Sequence, residues 1–360
     1  MIYVAVASSV LLIVGLSIPL WKPLVYRFKW GVVAANAYQD LLRRSGIVSG
    51  QIGNPYTSAR GDSDIPPALN AINHTFENYA QYARLSPERL NGARVLEIGP
   101  GNNVGVALRF VAEGASRVVA LDRFAGFQDT PFHRRLYVAL RDQLASDKRR
   151  RVDEAIRLDS AFGLNESRLF HVKQAIEGID ALFPPSSFDL IVSNAVLEEI
   201  YDTDAAFRAM DRLLAPGGQM MHAIDLRDYG MFTKHGFHPL EFLTVPDAIY
   251  RYMSQSVGQP NRRLVDYYRT AMALLGYSST IHITWIVGAP QRMAASRTTL
   301  RKGVDYSEET LTLLRQIRPG LLERYRQLRD EDLVVASILL VARKPSSSAF
   351  QVRPSAHQDH

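Results

Sequence analysis

The chain has 360 residues, 47% of them apolar, a formal charge of +6 and no cysteine. This length suits one large or two small domains with an ample core, and the composition excludes a disordered or low-complexity chain. The missing cysteines exclude disulfides, thiolate metal sites and cysteine nucleophiles. No stretch interleaves basic and aromatic residues as nucleic-acid-binding modules do, so no nucleic-acid partner is expected.

Ile2–Trp21 is an uncharged run. At about 1.5 Å per residue it is long enough for the ~30 Å core of a bilayer. Lys22, Arg27 and Lys29 follow it, with Trp21, Tyr26 and Trp30 as interfacial anchors. The expectation is a single-pass membrane protein whose remaining chain is cytoplasmic. No positive segment precedes the run, which argues against a secretory signal peptide. Tyr26–Arg44 reads as a short helix along the membrane surface, and Ile47–Pro67 as a linker rich in Gly, Ser, Pro and Asp.

Ala68–Arg84 reads as a helix whose Phe76, Tyr79 and Tyr82 recur every three residues, a core-packing pattern. Strands and helices then alternate. Strands are expected at Arg94–Ile98, Arg117–Asp122, Arg168–Lys173, Phe188–Asn194 and Gln219–Asp225. Helices are expected at Val104–Ala112, Thr130–Ser160 and Asp204–Leu214. Two further strands, Tyr277–Gly288 and Leu333–Ala342, flank the mostly helical Ser307–Arg329, and Leu264–Leu275 reads as another helix. The alternation predicts an α/β fold with a doubly wound, mostly parallel sheet. The expected division is an anchor at 1–21, a juxtamembrane helix and linker at 22–67, one domain at 68–344 with insertions at 227–276 and 290–331, and a disordered tail at 345–360.

In such a sheet, ligands bind at the carboxyl ends of the strands. Val95–Gly105, VLEIGPGNNVG, is a strand end, a Gly99-Pro100-Gly101 turn and a helix start. Gly99 and Gly101 let backbone approach a ligand. Asp122 ends the second strand, where it suits the two hydroxyls of a ribose. A dinucleotide fingerprint asks for a third glycine where this chain has Val104. Glu97 also suits a cation better than a pyrophosphate. Together these residues favour S-adenosylmethionine, with its sulfonium and ammonium groups, over a nicotinamide cofactor.

VLEIGPG, ALD, FDLIVSNAVLE and LLAPGG stand in order across Ala93–Leu226. With these motifs the chain resembles the class I S-adenosylmethionine-dependent methyltransferases, which have a seven-stranded Rossmann-like sheet. The resemblance implies that Glu97, Gly99, Pro100 and Gly101 line the methionine end of the cofactor. It implies Asp122 at the ribose, Arg123, Gln174, Ala175 and Ile176 around the adenine, and Asn194 and Ala195 beneath the reacting methyl. Many relatives read Leu-Glu-His where this chain has Leu197-Glu198-Glu199. An oxygen or nitrogen acceptor needs a base; His222, Asp225, Glu198 and Glu199 are the candidates, with Asp225, His222 and Glu198 expected to be catalytic. His222 and Asp225 would face opposite sides of a regular strand. Tyr229, Phe232, His235, Phe237 and His238 make either an acceptor wall or local packing, and His235 and His238 lack a convincing third metal ligand. The expected function is a membrane-anchored methyltransferase acting on a small-molecule or lipid- or glycan-linked acceptor, by O- or N-methylation. The alternative is an inactive, membrane-tethered scaffold with the same fold.

Overall fold

Seven strands form the sheet: β1 (Arg94–Ile98), β2 (Arg117–Asp122), β3 (Leu169–Lys173), β4 (Phe188–Asn194), β5 (Leu214–Asp225), β6 (Ser278–Ile286) and β7 (Val335–Arg343). They lie in the order β3-β2-β1-β4-β5-β7-β6. The first five run parallel, and β7 is antiparallel to both its neighbours. The computed structural model describes residues 24–46, 62–124, 126–254 and 258–346.

Strands such as RVVALD and LIVSN are apolar almost throughout because helices cover both faces of the sheet. Neighbouring residues on a strand point to opposite faces. Leu96, Val119 and Ile191 therefore enter one core, while Val95, Val118 and Leu190 enter the other. The second core also takes side chains from α2 (Ile65–Tyr82), α3 (Gly105–Ala112), α4 (Pro131–Asp142) and α5 (Ser146–Ala155). The first takes α6 (Thr203–Leu213), α7 (Asp247–Ser254), α8 (Val265–Leu274) and α9 (Glu308–Ile317).

The core reading of Phe76 and Tyr79 holds: both are buried, with ring centroids 5.1 and 6.0 Å from Phe110. The expected helix Thr130–Ser160 is instead two helices, α4 and α5, followed by a short antiparallel ribbon of Ile156–Arg157 and Gly163–Leu164. Leu144, in the break, turns into the core. α4 starts at a Thr130 cap with Pro131 in its first turn, two local signals of a helix start.

The membrane expectation is corrected. Among the described residues no helix is long and apolar enough to cross a membrane. Among the described residues the fold is the sheet domain with no transmembrane helix, and the expected single-pass localisation and membrane partner are not supported. Ile2–Trp21 and most of the expected linker lie outside the described residues. The first long helix among the described residues, α1 (Lys29–Arg44), carries charge at both ends and packs on the protein instead. Val32 and Val33 are buried, Arg44 donates to the Tyr252 carbonyl at 2.7 Å, and Lys29 pairs with Glu241 at 3.1 Å.

Candidate active site

The strand order reverses between β1 and β4, and a cavity of about 1090 Å³ opens at their carboxyl ends. β1 runs into the Gly99-Pro100-Gly101 turn, where Gly99 and Gly101 have φ of +72° and +73°. A Cβ on Gly99 would stand 2.3 Å from Val196 Cγ2, so both conformation and space require glycine there. Tyr137 holds the start of α3 by accepting the Val104 N–H at 3.0 Å.

Glu97, Gly99, Pro100, Gly101, Asp122, Arg123, Gln174, Ala175, Ile176, Asn194 and Ala195 all line this one cavity. Asp122 accepts the Gly101 N–H at 3.1 Å and the Phe124 N–H at 2.7 Å, which ties the end of β2 to the glycine turn. Arg123 is exposed, its guanidinium 5.5 Å from the Phe124 ring centre. Gln174 follows β3 and donates its backbone N–H to the Asp122 carbonyl at 3.0 Å. Ala195 has φ of +55°, a strained value for a residue with a side chain, and its N–H bonds to the Ala223 carbonyl at 2.9 Å. Glu97 is buried, and its Oε2 has no hydrogen-bond partner. Burial pushes its carboxyl up to about 8, with the Asp122 charge adding to the effect and the Ala107 N–H opposing it.

The expected catalytic residues separate. Asp225 lines the cavity, but Arg227 clasps its carboxylate through Nε at 2.9 Å and Nη2 at 2.6 Å. Arg227 also lies over Trp285, 3.8 Å from the ring centre. Glu198 lies outside the cavity lining, fully buried. Its Oε1 accepts the Tyr229 hydroxyl at 2.8 Å and the Asp225 N–H at 3.0 Å, while Oε2 has no partner. Burial pushes Glu198 up to about 8. His222 is also outside the lining, fully buried in the sheet with Nδ1 2.7 Å from Ser193 Oγ. Desolvation drives it down to about 3, so it is a neutral core histidine. No His222–Asp225 dyad forms through hydrogen bonds, as strand alternation anticipates.

Glu199, the fourth candidate base, does line the cavity. Its turn is held by Asn261, whose Nδ2 donates to Leu197 and Ile200 carbonyls at 2.8 and 2.7 Å. Burial, then the Asp122 charge, raises its carboxyl to about 7. From the aromatic insertion only Tyr229 lines the cavity. Phe232 is buried, Phe237 packs edge-on against it, His235 stacks on Tyr26 and His238 bonds the Leu313 carbonyl. Among the described residues no group is arranged to hold a metal ion.

The sequence reading missed Arg227, Gln259 and Trp285, which also line the cavity. An arginine two residues after the strand-end Asp225 was the available signal for the first. Nothing local marks Gln259 or Trp285, which come from distant segments.

The sheet order, the glycine turn and the strand-end acids define a nucleotide-type cleft of the methyltransferase kind. The family model of a methyltransferase domain matches residues 74–267, more than half the chain, and the chain belongs to that family. It is a class I methyltransferase, and its cofactor is S-adenosyl-L-methionine. No curated protein matches the chain. Similar solved structures include an S-adenosylmethionine-dependent methyltransferase from Mesorhizobium loti, 17% identical, covering 76% of this chain and 100% of that one, with a TM-score of 0.38. Another is phosphoethanolamine N-methyltransferase 2 from Haemonchus contortus in complex with S-adenosyl-L-methionine, 15% identical, covering 79% and 58% of the two chains, with a TM-score of 0.40.

Proposed function

We propose that this chain transfers the methyl group of S-adenosylmethionine to an oxygen or nitrogen of a small acceptor, with Glu199 as the base. The observation that carries the reading is the unpartnered, buried Oε2 of Glu97 beside a glycine turn bonded to Asp122. An ammonium group satisfies that oxygen and brings a countercharge into a site where a lone carboxylate is costly. Asp122 suits the ribose hydroxyls, and Gln174, Ala175 and Ile176 suit the adenine edge. The donor supplies an activated methyl, so the chain's own residues have to orient the acceptor and remove its proton.

In this reading the ends of β1, β2 and β3 hold the cofactor. Segments after β5 and β6 make the acceptor half, with the insertion 227–276 as its selecting element. Asp225 serves there as the anchor of Arg227, and Glu198 as the anchor of Tyr229. The substitution that motivated an inactive scaffold, Glu199, lines the cavity, which favours catalysis. Titration calorimetry with S-adenosylhomocysteine tests the reading. The full chain is expected to bind, and Asp122→Ala to weaken binding by about tenfold or more, the scale of lost charge-assisted hydrogen bonds. A wild-type chain that does not bind overturns it.

A further inference from the structure

On the acceptor side of the cavity, the charges and the unfilled hydrogen bonds ask for the same kind of ligand. Glu199, Asp225 and Asp228 line this half, against Arg227. Arg227 is paired: its Nε and Nη2 bind Asp225 and its face lies over Trp285. Its charge therefore stands against an acid of the same wall. Asp228 is spent on its own turn, accepting the Gly230, Phe232 and Thr233 N–H groups and the Thr233 hydroxyl. That turn holds Tyr229 at φ +52° against the wall. Glu199 remains as the acid free to meet an acceptor.

The hydrogen-bond inventory agrees. The buried side-chain atoms that line the cavity without a partner are Glu97 Oε2 and Gln259 Oε1, and both accept rather than donate. The first belongs to the methionine half and the second to the acceptor half. A phosphate or carboxylate brought here finds acids and acceptor oxygens, and pays desolvation without recovering it. An ammonium brings the donors and the charge that this wall lacks, with Trp285, Tyr229 and Leu240 for its apolar part.

Resting on the methyltransferase reading above, we propose that the acceptor is an amine that enters as its ammonium ion, and that acceptors carrying phosphate or carboxylate are refused. Glu199 takes one N–H proton, freeing the nitrogen lone pair. That pair forms the N–CH₃ bond as the S–CH₃ bond breaks, and the S–C electrons stay on sulfur. The products are a methylammonium ion and neutral thioether, with the proton left on Glu199 for solvent. With its pKa raised to about 7, Glu199 suits both taking and releasing that proton.

The test is titration calorimetry on the full chain saturated with S-adenosylhomocysteine, using 2-phenylethylamine, 2-phenylethanol and phenylacetate as probes of similar size. The amine is expected to bind at least about tenfold tighter than the alcohol, with phenylacetate weakest. Glu199→Gln is expected to remove most of the amine's advantage over the alcohol. An alcohol or carboxylate that binds as tightly as the amine, or an amine that does not bind, overturns the assignment. Loading with S-adenosylhomocysteine is measured first. If it fails, the methyltransferase reading fails; if it succeeds and the probe order is wrong, only the amine assignment fails.

Discussion

His222 and Glu199 are both ionisable residues near the ends of strands, and burial treats them in opposite ways. His222 is enclosed on all sides and bonded to Ser193, so its proton is driven off far below neutral pH. Glu199 keeps an open side to the cavity, and partial desolvation brings it to about 7, where both protonation states are available. Both were candidate bases by residue type; enclosure keeps His222 out of the cavity lining and leaves Glu199 in it. His222→Gln is therefore expected to cost about 1–3 kcal/mol of stability through the disturbed buried hydrogen bond. It should leave S-adenosylhomocysteine affinity within about twofold. Denaturant unfolding and calorimetry together check this, and a large loss of affinity without a loss of stability would contradict the core assignment.

At the scale of elements, the strand–turn–helix unit of β1 and α3 forms the part of the cavity proposed to hold the cofactor. Its chemistry sits at the turn, but its rigidity comes from behind. Phe110 of α3 is fully buried against Phe76 and Tyr79 of α2, and Tyr79 also reaches the cavity. Phe110→Ala is expected to destabilise the fold by about 3–5 kcal/mol, from lost transfer energy and the cavity left behind. Thermal and denaturant unfolding measure it. The unit was legible in sequence because VLEIGPG is a local signal: an apolar strand, then glycines for positive φ, then a helical run. Of the wall opposite, only Tyr229 was legible. Gln259 and Trp285 join it after long connections fold back, and no local spacing records that meeting.

For the molecule as a whole, buried acids shape the dependence of stability on pH. Glu97, Glu198 and Glu199 sit above the 4.5 of a free glutamate, at about 8, 8 and 7. The folded state holds protons that the unfolded state has released, so this contribution is fully present below 4.5 and is lost as pH rises through 7 to 8. His222 has the opposite shift, from 6.5 to about 3, and lowers stability as pH falls through that range. Above about pH 6.5 only the acids act among these groups. The melting temperature of the ligand-free chain is expected to fall from about pH 6.5 to about pH 9, and Glu198→Gln to flatten the fall. A flat wild-type profile in scanning calorimetry would contradict the burial of these carboxyls.

The sequence by itself determined the alternating fold, the seven strands, the family and its cofactor. Each rests on short-range patterns: apolar strand runs, glycines at positive φ and acids at strand ends. The cavity lining includes every expected cofactor-contact residue, from Glu97 to Ala195. Only the tertiary structure decided which base candidates reach the cavity, because Glu198 and Glu199 are adjacent in sequence yet one is enclosed and the other open. It also neutralised Asp225 with Arg227 and put Gln259 and Trp285 into the wall. Those outcomes depend on desolvation and on contacts between distant segments, which a linear pattern does not encode.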